Sequence, residues 1–212
     1  MSRKFEENAA VAAVKNAYQT KRLKFIRLDK NDEDAKAFFI RLLNDPEIYA
    51  LAMTMLLRPQ SPTTVEAKMA EYANSLLPLM ICLPADNEGG KPTIIGELII
   101  GEDITPTSLA QNRNIEMGFS LLPEHQNKGY GREAIDWALD WCFQHAGMHT
   151  VSIATVSYND RAMHLYESMG FVNEGRKREV IWFNRKWYDS VLYSMTENEW
   201  EALRTKQGEL KK

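Results

Sequence analysis

Between the apolar run Ile115-Glu116-Met117-Gly118-Phe119-Ser120-Leu121 and an amphipathic stretch from Arg132 to Ala146 lies Gln126-Asn127-Lys128-Gly129-Tyr130-Gly131-Arg132. A strand, a short glycine-bearing loop and a helix start, in that order, constrain this chain more than any other stretch, because they build a cradle for an anion. Glycine lets backbone approach a ligand closely, and the first turn of a helix carries amide N–H groups with no partner inside the helix. Those donors, with the positive end of the helix dipole, suit a pyrophosphate. Lys128 and Arg132 add charge at the mouth. A bare glycine turn between strand and helix is the alternative that the loop alone leaves open.

Two well-known phosphate loops do not fit. A nucleoside triphosphate loop needs Lys followed by Ser or Thr after its last glycine, so that a hydroxyl can hold magnesium; here Arg132-Glu133 follows Gly131. A dinucleotide loop needs a third glycine three residues after the second and follows the first strand. Ala134 stands at that third position, and the loop comes late in the chain.

A length of 212 residues suits one domain with a substantial core. Hydrophobic residues make up 44% and charged residues 26%, as in ordinary globular proteins. No apolar run approaches the roughly 20 residues that span a bilayer, and Met1 to Glu7 lacks the apolar core of a secretion signal. No membrane partner and a cytoplasmic location are therefore expected. Cys82 and Cys142 sit in apolar surroundings with no metal or redox spacing and read as buried thiols. A net charge of -3 argues against a protein built around nucleic-acid phosphates, although it leaves a local basic patch open.

Residues 6–19 are rich in helix formers and read as a helix or a loose extension. The first strand is expected over Lys21–Leu28, a helix capped within Asp29–Asp32, and a second helix over Glu47–Leu57 behind Pro46. Thr63 or Thr64 is expected to cap a third helix, running to about Leu76. Strands are expected over Leu77–Leu83, Thr93–Ile100, Asn114–Leu121 and Thr150–Val156, with a hairpin turn at Asp86–Gly90. A helix over Asn159–Met169, two late strands turning at Asn184-Arg185 and a terminal helix over Glu197–Arg204 complete the order. This suits one α/β domain around a mixed sheet. Its expected extent is residues 21–205, with 1–20 an extension and 206–212 a polar tail.

Wider patterns surround the cradle. Leu122-Pro123-Glu124-His125 leads into Gln126-x-x-Gly129-x-Gly131, and downstream comes Asn159-Asp160-Arg161-Ala162-Met163-His164-Leu165-Tyr166-Glu167-Ser168-Met169-Gly170-Phe171. Together these resemble the GNAT superfamily of acyl-CoA N-acyltransferases: the first its pyrophosphate loop, the second its Asn…Tyr…Gly-Phe element. The run Asp189–Trp200 and the early Arg41-Leu42-Leu43-Asn44-Asp45-Pro46-Glu47 are similar to the branch containing the ribosomal-protein N-terminal acetyltransferases. The resemblance covers approximately residues 21–201. It implies a mixed, mostly antiparallel sheet flanked by helices, with a splayed strand pair that holds the cofactor.

What the resemblance further implies is acetyl-CoA as cofactor and a primary amine as acceptor, either a protein N-terminus or a small molecule, in a monomer or homodimer. The acyl group would pass directly within a ternary complex. The backbone around Phe119 and Leu121 would hold the pantetheine arm, and the stretch Gln126, Asn127, Lys128, Gly129, Tyr130, Gly131 and Arg132 would hold the diphosphate. Tyr166 would be the general acid, since a phenol with a pKa of about 10 stays protonated at neutral pH. Its alternative is core packing on a helix face. Asn159 would bond the pantetheine or a nearby water, cap the helix, or do both. Ala162 stands where the branch often carries serine, which removes a hydroxyl contact. Glu116 leads as general base, against a structural pairing with an arginine; Glu97 and Glu102 follow. Ile48–Arg58 and Trp182, Phe183, Trp187 and Tyr188 would shape specificity, the aromatics alternatively packing the hairpin. A non-catalytic acyl-CoA-binding module of the same fold is the rival reading.

Overall fold

Alternating apolar positions make the strands of this chain, and the way those strands pair decides where a ligand can enter. The computed structural model describes residues 14, 16–52, 56–85, 87, 89–101 and 111–208. The strands are β1 (Lys24–Arg27), β2 (Leu77–Leu83), β3 (Thr93–Ile100), β4 (Asn114–Leu121), β5 (Thr150–Val156), β6 (Val172–Phe183) and β7 (Lys186–Thr196). They form a seven-stranded sheet in the order β1-β2-β3-β4-β5-β7-β6. Neighbours are antiparallel except β4 and β5, which run parallel. This is the mixed, mostly antiparallel α/β sheet that was expected.

Helices cover both faces. They are α1 (Glu33–Asn44), α2 (Pro46–Ala52), α3 (Pro62–Ala73), α4 (Tyr130–Asp140), α5 (Asp160–Ser168) and α6 (Glu197–Gln207). On one face, α1 and α3 bury Phe39, Leu42, Val65 and Met69 against Met80, Cys82 and Ile99. On the other, Ile135 and Ala138 of α4, with Tyr166 and Trp200, pack on Leu79, Ile81, Leu98 and Met117. Successive strand residues feed opposite layers, as the two-residue repeat of a strand requires. Arg204 joins α6 to α4: it is 4% exposed, and its Nε and Nη2 donate to Asp140 and Asp136 at 2.8 and 2.9 Å.

Several boundaries differ from expectation. The cap of α3 is Ser61, whose hydroxyl accepts from the Thr64 amide at 3.2 Å, rather than Thr63 or Thr64. Pro62 then takes the first helical position, where a missing N–H costs nothing. The same helix ends at Ala73, short of Leu76, which is half exposed and offers no packing to extend it. Among the described residues α2 stops at Ala52, and Leu56 and Leu57 are non-helical and exposed. Most of the proposed segment 6–19, Glu102, and parts of the turn at 86–90 and of the tail at 206–212 lie outside the described residues. Among the described residues, no helix is long and apolar enough to cross a membrane. Burial pushes the Cys82 and Cys142 thiols up to about 12, so both are poor nucleophiles at neutral pH.

Candidate active site

The parallel pair β4–β5 comes apart. Its register holds for Asn114–Glu116 against Thr150–Ser152 and goes no further. Beyond Glu116, β4 stays with β3 as far as Leu121, while β5 stays with β7 as far as Val156. Each strand follows its other neighbour, and a wedge opens between Met117–Leu121 and Ile153–Val156. Gly101 N–H donates to the Glu116 carbonyl at 2.8 Å, and Leu122 N–H donates to that of Ile95 at 2.9 Å. In an antiparallel ladder the bonding direction alternates, so the main-chain groups of Met117, Phe119 and Leu121 turn toward the wedge. A cavity of about 630 Å³ fills it.

The glycine loop closes one end of the cavity. Asn127 and Gly129 take φ of 58° and 80°, a left-handed pair that reverses the chain. Gly129 caps α4 without any side-chain hydrogen bond, so the amides of the first turn remain available to a ligand. The helix begins at Tyr130, earlier than the expected Arg132, which places Gly131 and Arg132 inside that turn. A Cβ on Gly131 would lie 3.1 Å from the Phe119 ring, so glycine lets the loop sit directly against β4. Gln126 Nε2 donates to the Leu121 carbonyl at 2.8 Å and ties the loop to the strand end.

A brace invisible in the local sequence supports the loop from below. Arg22 donates through Nη1 to the Lys128 carbonyl at 2.9 Å and through Nε to Glu133 at 2.6 Å. Its guanidinium also lies 4.7 Å from the centre of the Tyr130 ring. Burial works to raise the Glu133 carboxyl, but bonds from Thr20 and Arg22 outweigh it and hold it below the usual range. Arg132 turns away from the loop mouth to Ser168, where Nη2 meets the hydroxyl at 2.5 Å. It clamps α4 to α5 and still borders the cavity.

Tyr166 lies in the cavity wall on α5, 5% exposed. Its ring packs edge-on to Tyr193 at 5.6 Å and against Phe171 at 6.0 Å. Burial, with a smaller push from Tyr193, raises its pKa well above the ordinary tyrosine value. Asn159 Oδ1 accepts from the Ala162 amide at 3.1 Å and caps α5, while Nδ2 reaches the Leu51 carbonyl at 3.5 Å. Glu116 and Glu97 also line the cavity, on adjacent strands. The paired residues Glu97 and Ser120 share their sheet face with Glu116, four residues before Ser120 on β4. At the far end stand Ile48, Leu51 and Ala52 of α2 and Lys68 and Tyr72 of α3.

The cavity thus gathers Glu116, Phe119, Leu121, Gln126, Asn127, Gly129, Gly131, Arg132, Asn159 and Tyr166, while Lys128 in the loop and Tyr130 at the start of α4 stay outside the wall. Of the four late aromatics, none is in the wall. Phe183 and Tyr188 pack on Tyr158, and Trp182 and Trp187 face solvent; Ser190 borders the cavity instead. Lys68, Tyr72, Arg161 and Arg22 were missed. Arg161 alone had a local signal, two residues after Asn159 on the motif helix.

A family model for the acetyltransferase (GNAT) domain matches residues 22–172. The chain belongs to the GNAT acetyltransferase family. It is similar to a spermidine N(1)-acetyltransferase of Vibrio cholerae, 37% identical over 78 residues, 37% of this chain and 45% of the other. It is also similar to the [ribosomal protein uS5]-alanine N-acetyltransferase of Escherichia coli, 26% identical over 84 residues, covering 40% and 43%. The chain therefore matches about half the length of these relatives. The fold of this GNAT chain is shared with the crystal structure of spermidine N-acetyltransferase from Vibrio cholerae in complex with CoA and spermine. There the TM-score is 0.70 at 24% identity, over 86% of this chain and 99% of that one.

Proposed function

We propose that residues 21–205 form an acetyl-CoA-dependent N-acetyltransferase that moves an acetyl group directly onto a primary amine. The observation that carries this reading is the wedge between β4 and β5, which opens at one end on uncapped helix amides and runs past Tyr166 toward two carboxylates. The donor set suits the cofactor: first-turn amides of α4 and the glycine backbone would take the diphosphate, and the exposed edge of Met117–Leu121 would take the pantetheine amides. Acetyl-CoA, when bound, supplies an activated thioester.

The chain's own groups would do the rest. Main-chain N–H groups on β4 would polarise the acyl carbonyl from fixed positions. Tyr166 would donate its proton to the departing sulfur. Glu116 would accept the proton that the ammonium must lose, directly or through water. Carboxylates in the wall favour a cationic acceptor, in keeping with relatives named for spermidine and for a ribosomal-protein alanine. The reading places the protein in the cytoplasm, as a monomer or homodimer.

Calorimetry with acetyl-CoA, followed by thiol release across small amines and short peptides with free N-termini, tests the function. Uptake with amine-dependent release is expected. Uptake with release no faster than in water would instead mark a binding module. Glu116→Gln should lower kcat/KM near pH 7 by about 10–100-fold. The deficit should shrink as pH rises toward about 10, where alkylamines lose the proton unaided. A deficit that is constant with pH would leave Glu116 a structural role.

A further inference from the structure

The outer end of the β6–β7 hairpin carries a surface that the cavity does not use. β6 is an edge strand, and its pairing with β7 slips between Lys177 and Ile181. Five residues of β6, from Lys177 to Ile181, run against three of β7, from Ser190 to Tyr188. The surplus pushes Arg178, Glu179 and Val180 out of the ladder. Glu179 takes φ of 52°, and its amide is held by Asp189 at 3.0 Å. Beyond the bulge Trp182 and Trp187 form a cross-strand pair, ring centroids 5.1 Å apart and planes at 57°. They are 57% and 55% exposed. The two-residue turn Asn184-Arg185, with φ of 46° and 61°, sets Arg185 at the tip of the hairpin, and Lys186 opens β7 one residue before Trp187.

Charge accompanies the rings. Residues 176–187 hold five cations, Arg176, Lys177, Arg178, Arg185 and Lys186, against one carboxylate, Glu179, in a chain of net charge -3. All five cations are exposed, and Arg176 lies 3.8 Å from Asp189 just outside that span. A second copy is a poor occupant. Two-fold pairing of β6 edges would oppose like cations, and the bulge interrupts the ladder such pairing needs. An acidic polypeptide would satisfy the cations but would not call for two open indole rings side by side.

We propose that this hairpin binds single-stranded nucleic acid, its bases stacking on Trp182 and Trp187 and its phosphates lying against the Arg176–Arg178 and Arg185–Lys186 cations. Aromatic platforms flanked by basic side chains suit unpaired strands, whose bases are free to stack. The site is independent of acyl transfer, and the small negative charge of the whole chain conceals it.

Fluorescence anisotropy of the full chain with a labelled oligouridylate, at 50 and 200 mM salt, tests the proposal. Binding is expected with a log–log salt slope of about -2 to -3, from three or four phosphates. The paired change Trp182→Ala and Trp187→Ala should weaken it at least about 10-fold. Lys177→Glu with Arg178→Glu should weaken it and flatten the slope. Both variants should keep the parent's melting midpoint and acetyl-CoA uptake. Trp182→Tyr, which retains an aromatic face, should restore most of the affinity lost in Trp182→Ala. No binding at 50 mM salt overturns the proposal, as does equal affinity for duplex or for polyglutamate. It also fails if sedimentation shows a dimer that the tryptophan variant abolishes.

Discussion

Tyr166→Phe is expected to lower kcat for amine acetylation by roughly 100-fold, the scale of one positioned general acid, and to leave acetyl-CoA affinity within about twofold. Phenylalanine keeps the ring contacts with Phe171 and Tyr193, so the helix and the wall should hold their shape. Only the hydroxyl goes. The direction of its pKa shift matters here: burial raises it, and the protonated phenol is the donating form. The group therefore remains a competent acid throughout the neutral and mildly alkaline range, and any decline in rate there belongs to another group. Pre-steady-state thiol release beside cofactor calorimetry separates the two quantities. Unchanged turnover would remove Tyr166 from the reaction, whereas a matching loss of affinity would make it a packing residue.

Gly131→Val should cost roughly 100-fold in acetyl-CoA affinity, about 2.7 kcal/mol. A single Cβ already meets the Phe119 ring at 3.1 Å, and two further methyl groups must drive ring and loop apart. The displaced ring would enter the wedge, and the first-turn amides of α4 would move off their common focus. Gly131→Ala should show the same effect in reduced form, because one methyl can be met by a small ring shift. Calorimetry, with the melting midpoint as a control on folding, reads both variants. Equal affinity in the valine variant would mean that the loop does not hold the diphosphate.

The residues that could be read in advance are those whose signal is local. β2, β3, β4 and β5 fall where apolar runs placed them, since a strand in a covered sheet writes its pattern into neighbouring residues. Gln126–Arg132 was legible because glycines and a helix start are contiguous. Boundaries proved harder: the left-handed Gly129 starts α4 ahead of Arg132, and a serine before Pro62 took a cap assigned to threonine. What stayed hidden depends on distance. Arg22 meets Glu133 and Lys128 across more than a hundred residues, and nothing near Arg22 announces it. The late aromatics were open to two readings, pocket wall or hairpin packing, and only the pairing of β6 with β7 sets Trp182 against Trp187 across the hairpin and away from the cavity. The wedge itself was foreseen through family resemblance, since no single strand encodes its separation from the next.

Tyr158 and Asn159, consecutive residues ahead of α5, grip consecutive carbonyls of α2: the phenol donates to Ala50 at 2.6 Å and the amide reaches Leu51 at 3.5 Å. The α2 end of the cleft is therefore tied by one two-residue link to the helix that carries Tyr166. On the proposed reading, the gap left for an amine is gauged from the thioester side, like one jaw of a caliper. Selectivity would then be a property of the spacing between α2 and α5 as much as of the side chains that meet the guest.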